Sequence, residues 1–221
     1  MPKIGSFLSS FFISIVFATL LCQPLAAMEA QAINISDGWD LSQWEAKEFS
    51  DLTQYSVVES GSTRILKAST DNSASILFKK IDIDLKKTPY LNWSWKVENI
   101  YPIADQQTKE GDDFPARIYV ILQEGALPWQ AFSLNYVWSN TAHEESSWPN
   151  PFTSNAVMIP VQSGEEGLGK WQHYKKNIRE DFSSILKKDI YKIHGIAVMA
   201  DSDNSMGKAI SYFDNISFSS E

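Results

Sequence analysis

The chain has 221 residues, 43% hydrophobic and 21% charged, which is ordinary for a globular protein and supplies one core of sandwich size. The formal net charge is −8 and no Lys/Arg-rich stripe is present, so nucleic acid is excluded as a natural partner. The single cysteine, Cys22, lies near the N-terminus, so the rest of the chain has no disulfide, no thiol catalysis and no Cys-ligated zinc.

The chain opens with Lys3, an apolar stretch from Phe7 to Cys22, then Pro24 and small residues. A short positive region, an apolar helix and a small-residue site make a secretory signal peptide, 1–27, with cleavage after Ala27 or Ala32. The apolar run is short for a spanning anchor, so no membrane span is expected after cleavage. Lipid attachment at Cys22 would want a small residue before it, where Leu21 stands. The expectation is an exported protein, periplasmic or secreted, from a bacterium of Gram-negative type, with one domain over 33–221.

Period-two alternation then dominates. "YSVVES", "RILKAS" and "ASILFKKIDI" read as strands between turn signals at Gly61-Ser62 and Thr88-Pro89. "LNWSWKV" puts Leu91, Trp93, Trp95 and Val97 on one face. "RIYVIL" is apolar on both faces and reads as a central strand, as does "GIAVMA" farther on. "FSLNYVWS" aligns Phe132, Leu134, Tyr136 and Trp138, and "AVMIPVQS" follows. Phe182, Ile185 and Leu186 fall at i, i+3, i+4, which predicts one short helix from about Glu180 to Lys188. The closing "AISYFDNISF" aligns Ile210, Tyr212, Ile216 and Phe218. Many short strands and one helix predict an all-β fold: a single antiparallel β-sandwich, jelly-roll and galactose-binding-like in type.

The blocks "ILKASTDNSASILFKKIDIDLKKTPYLNWSWKV", "KEGDDFPARIYVIL" and "GIAVMADSDNS…AISYFDNISF" resemble an uncharacterised bacterial family, the domain of unknown function 3047. The likeness keeps the order of the blocks over nearly the whole chain after the leader, and it implies export and no established activity. More distantly, "WDLSQWEAKEF" and "SYFDNISF" look like the first and last strands of galactose-binding-type carbohydrate-binding modules. That likeness implies a structural Ca²⁺ held in part by Asp214.

Three stretches are candidates for chemistry. Asp112 and Asp113 precede Phe114-Pro115 and Arg117; they read either as loop acids paired with Arg117 or as part of a ligand or cation site. Asp201, Asp203 and Asn204 read either as an Asx-rich turn or as the start of a cation loop, although the EF-hand spacing is not met. Alternation aims Asp214 at the core, which requires a bulge that turns it out, or a partner such as Arg117, Lys96 or a metal. Asp201, Asp203 and Asp214 are therefore the candidate metal ligands. Trp129 and Trp148 lie in turn segments beside Pro128 and Pro149, where an aromatic ring either stacks on a sugar or closes the end of the sandwich.

The expected function is a non-catalytic ligand-binding sandwich, with a glycan or an envelope component as ligand. Asp112, Asp113, Arg117, Trp129 and Trp148 are its expected contacts. The alternatives are a glycan hydrolase using Asp113 and Asp201 as an acid–base pair, and an interaction domain for an envelope protein.

Overall fold

The computed structural model describes residues 1, 32–103, 105–127, 130–141 and 146–221. The expected signal peptide, Trp129 and His143 lie outside the described residues. Two sheets pack face to face. The first has β1 (Ala32–Asn34), β3 (Gln54–Ser60), β4 (Thr63–Asp71), β6 (Tyr90–Val97), β11 (Gln172–Asn177) and β13 (Lys208–Ser219). Its order is β11-β6-β13-β4-β3, with β1 on β13. The second has β2 (Glu45–Ser50), β5 (Ala74–Asp84), β7 (Arg117–Gln123), β8 (Ala131–Ser139), β9 (Trp148–Asn150), β10 (Thr153–Ser163) and β12 (Lys192–Asp201). Its order is β2-β5-β12-β7-β8-β10-β9, so the two strands apolar on both faces, β7 and β12, are central as predicted.

The core between the sheets is built by alternation. Leu91, Trp93, Trp95 and Val97 of β6 meet Leu134, Tyr136 and Trp138 of β8 and Ile118 and Val120 of β7, all essentially without solvent contact. Trp93 packs against Tyr136 at 5.3 Å between ring centroids, and Trp95 meets Trp138 at 6.4 Å. Helix α1 (Ile178–Leu186) begins at Asn177, whose side chain accepts from the Glu180 N–H, and ends on Lys187 in the left-handed conformation. It starts two residues before the predicted position and buries Ile178 and Phe182.

Two details depart from simple alternation. The sandwich is not wholly antiparallel, because β10 runs parallel to β8. The chain leaves β8, forms the edge strand β9 and folds back through a tight turn, so β10 inserts between β9 and β8. Pro149 is tolerated in β9 because an edge strand can lack a ladder N–H. In β13 the register shifts between Asp214 and Ser217, with Asn215 at φ 54. This bulge re-phases the strand: Phe213 as well as Ile216 and Phe218 faces the core, while Tyr212 and Asp214 turn outward. The expected alignment of Ile210 and Tyr212 with Ile216 is thereby corrected.

Candidate functional site

The acidic stretches meet. Arg117 opens β7 and Asp201 closes β12; these strands are antiparallel neighbours with Met199 opposite Arg117. Period two then puts Met199, Asp201 and Arg117 on the outer face of the second sheet. Arg117 Nε donates to Asp201 Oδ1 at 2.9 Å, and its Nη2 donates to Asp201 Oδ2 as well as to the Asp112 carbonyl. The guanidinium also lies 4.4 Å from the Phe114 ring centroid and 3.6 Å, through Nη1, from Asp112 Oδ2. Burial, the largest single influence, would lower the arginine pKa, but the surrounding groups, Asp201 foremost, together outweigh it and hold the group above its usual value. Bidentate pairing of this kind is what arginine, rather than lysine, provides.

The loop before β7 is set by local chemistry. Asp112 (φ −76, ψ 47) is the centre of an inverse γ-turn, with the Asp113 N–H donating to the Gly111 carbonyl at 2.8 Å. The turn sends the two side chains to different tasks. Asp113, without solvent contact, accepts from the Asn204 N–H at 3.2 Å, the Asn204 Nδ2 at 3.1 Å and the Ser205 N–H at 2.5 Å. It therefore ties the 202–205 turn to the loop. Asp112 instead lines a cleft, accepting from Asn150 Nδ2 at 2.9 Å. Burial pushes its carboxyl above the ordinary range, against the pull of Arg117.

Carboxylate oxygens of Asp113, Asp201 and Asp203 lie within 4.8 Å of one another. Asp201 and Asp203 thus do approach each other, but the third candidate ligand does not join them. Asp214 sits in the other sheet opposite Ser94, and Asp113 takes the place expected of it. The donor demand of this trio is met largely from within: Asp201 accepts from Arg117 and from the Phe114 N–H at 3.1 Å, and Asp113 from three N–H groups. Arg117 supplies the positive charge that a cation would bring. The pair Asp113 and Asp201, as an acid and a base flanking a bond, is not supported either, because Asp201 is an ion-pair partner and Asp113 does not line the cleft.

Asp203 is half-buried, and burial, then the neighbouring Asp113 charge, raises its pKa. The folded chain therefore holds a proton there that the unfolded chain releases at about pH 4, so the associated stability is lost as pH rises through the raised value. Asp203→Asn should be more stable than the parent at neutral pH, with the advantage shrinking toward pH about 4. Denaturant titrations at both pH values check this; a constant difference between the two would show that Asp203 carries an ordinary pKa.

The cleft, of about 610 Å³, crosses the outer face of the second sheet. Its floor includes Ala74 of β5, Met199 of β12, Tyr119 of β7 and Asn135 of β8. Its polar end holds Asp112, Arg117, Asp201 and Asp203. At its rims stand Phe49 of β2, 58% exposed, and Phe152 of the β9–β10 turn, 56% exposed. These two rings went unrecognised in the sequence, where tryptophans draw attention first. Trp148 does not present a shelf: it is 4% exposed and stacks on Phe114 at 6.5 Å, in a small cluster with Val137 and Met158. The signal for Phe49 was available, since "EAKEFS" keeps a large aromatic among polar residues at an edge.

Two described histidines play other parts. His173 Nδ1 pairs with Ser94 Oγ at 2.7 Å on the outside of the first sheet, and His194 Nδ1 accepts from the Gln123 N–H. Among the described residues no helix is long and apolar enough to cross a membrane.

No curated protein matches the chain. Among solved structures it is similar to the family 30 carbohydrate-binding module of the cellulosomal cellulase Cel9D-Cel44B of Clostridium thermocellum, at 14% identity over 81% of this chain and 92% of that one, TM-score 0.47. It is also similar to the xyloglucanase domain of NopAA, a type three effector from Sinorhizobium fredii, at 10% identity over 79% and 92%, TM-score 0.44. Endoglucanase Cel12A from Rhodothermus marinus aligns at 6% identity over 86% and 98%, TM-score 0.45. The family profile described as "Protein of unknown function (DUF3047)" matches residues 42–217, and the chain belongs to that family.

Proposed function

We propose that the chain is an exported, non-catalytic glycan-binding domain whose ligand lies across the strands of the second sheet. The observation that carries this reading is the pair of exposed rings, Phe49 and Phe152, at opposite rims of one cleft with hydrogen-bonding groups between them. From β2 to β10 is five strand steps, about 24 Å at roughly 4.8 Å each, so the groove suits a chain of several sugar rings rather than one. Sugar rings offer apolar faces to aromatic side chains and hydroxyls to side-chain amides. Asn135, Asn150 and Ser133 provide such polar groups along the groove. Export rests on the N-terminal pattern of Lys3, an apolar segment and small residues. An envelope protein as partner has no comparable feature in the cleft behind it.

Affinity electrophoresis of residues 33–221 through a panel of soluble neutral β-linked polysaccharides tests the reading, with calorimetry on oligomers of any hit. Phe49→Ala and Phe152→Ala should each weaken binding by about 1 kcal/mol, roughly fivefold in Kd, without changing the melting temperature. Retardation by none of the polysaccharides, or equal binding by both variants and the parent, would sink it.

One observation favours hydrolysis as a second reading: Asp112 and Asp203, both with carboxyls raised by burial, line the same cleft. Release of reducing ends from a bound polysaccharide, lost in Asp112→Asn, would establish it.

A further inference from the structure

The polar end of the cleft is short of positive charge and of donors. Among the described lining residues the one cation is Arg117, and three carboxylates, Asp112, Asp201 and Asp203, share its wall. The guanidinium is committed to Asp201 and to the Asp112 carbonyl, and its Nη1 also faces Asp112 Oδ2 at 3.6 Å, so one cation is shared among the three carboxylates. Lys47 and Lys109 sit at the rims, 5.6 Å over the Phe49 ring and 5.4 Å over the Phe152 ring, and neither forms an ion pair with the wall's carboxylates among the described residues.

Three donors near this end are already used. Asn150 Nδ2 donates to Asp112 Oδ2, Asn135 Nδ2 points at Met158 Sδ at 3.4 Å, and the Tyr119 hydroxyl donates to Met199 Sδ at 3.2 Å. Two acceptors of the lining side chains are left over: Asp112 Oδ1 and Asn135 Oδ1 are buried and have no hydrogen-bond partner. Their residues are 5% and 1% exposed. A buried acceptor without a donor is costly, and carboxylates that outnumber their counter-charge more so.

What fits such a wall is a group that brings both missing things. A sugar hydroxyl brings a donor and no charge. A uronate brings another negative charge and is repelled. An ammonium brings donors and a positive charge together. We infer that the sugar unit seated at the Asp112–Asn135 end carries a free amine, so that the ligand is a glycan containing de-N-acetylated amino sugar. This rests on the glycan reading above and adds to it the chemistry of one subsite.

Calorimetry with three β-1,4-linked oligomers of equal length tests it: glucosamine, N-acetylglucosamine and glucose, at a pH where the amine is protonated. The glucosamine oligomer should bind about tenfold more tightly than either other, a ratio that weakens with added salt. Asp112→Asn should abolish the preference, and Phe49→Ala should weaken all ligands alike. Equal or weaker binding of the amine oligomer overturns the inference even if Asp112→Asn fails to fold, since that comparison needs only the parent chain. If none of the three binds while another neutral polysaccharide does, the amine subsite falls and the glycan reading stands. If nothing binds, both fall. Tight binding of Ca²⁺ alone, lost in Asp112→Asn, would reassign the wall to an inorganic cation.

Discussion

Arg117→Met is expected to cost the fold about 3–5 kcal/mol, the range for removing one partner of a buried ion pair. The reason is visible in the count of charges. Asp112, Asp113 and Asp201 are each at most 5% exposed, and Arg117, itself 2% exposed, is the guanidinium that faces two of them. Methionine would fill much of the space over Phe114 and leave Asp201 buried without a counter-charge. The variant should lose more at neutral pH than in mild acid. Its Asp201 carboxyl would have a folded pKa above the unfolded one, so the chain regains stability as pH falls through that value. Adding Asp201→Asn should restore part of the loss, because asparagine carries no charge and still accepts from the Phe114 N–H. Urea titrations of the parent, the single and the double variant give the three numbers. A single variant within about 1 kcal/mol of the parent would mean that Arg117 is dispensable to the fold, and that its burial serves the cleft alone.

The pairing also explains what could be read in the sequence and what could not. Period two revealed the core strands because each of β6, β7 and β8 keeps its alternation unbroken; Trp93, Trp95 and Trp138 sit where it puts them. It misplaced Asp214 because a bulge is one inserted residue, and one residue reverses every face after it. It could not show that β10 lies beside β8 in parallel, since strand order is a property of connections rather than of composition. Asp113, Arg117 and Asp201 were each singled out. Their meeting was not legible, because 84 positions separate Arg117 from Asp201 and only the antiparallel registry of β7 and β12 closes that distance. Of the two readings of Trp148, stacking on a sugar or packing, the structure shows the packed one, for a different reason. An indole beside a proline looks exposed until one knows that the β9 edge strand folds it onto Phe114.

The second large effect concerns Gly111, first residue of "GDDFP". Its φ is unremarkable; its constraint is space. A Cβ on Gly111 would lie 1.9 Å from the Asp105 carbonyl oxygen and 3.0 Å from the Ile103 side chain. Backbone at that distance cannot yield as the end of a flexible side chain does, so the 105–111 turn must move. That turn is held at both ends. The Gly111 N–H donates to the Thr108 carbonyl at 3.2 Å. Gln106, fully buried, donates to the Asp113 carbonyl at 2.7 Å and accepts from the Asn140 N–H and the Ser139 hydroxyl. Gly111→Ala should therefore cost about 3 kcal/mol, at the upper end of what overpacking costs in a closed interior. The damage should be local in kind. Asp112 and Asp113 follow the substituted residue directly, so the cleft wall and the tie to the 202–205 turn both shift with it. Hydrogen exchange should show the Asn204 and Ser205 amides losing protection before the amides of β6 and β13. Loss of protection spread evenly over both sheets would instead mean that the loop is part of the cooperative core, and that the wall of the cleft cannot be altered without unfolding the sandwich.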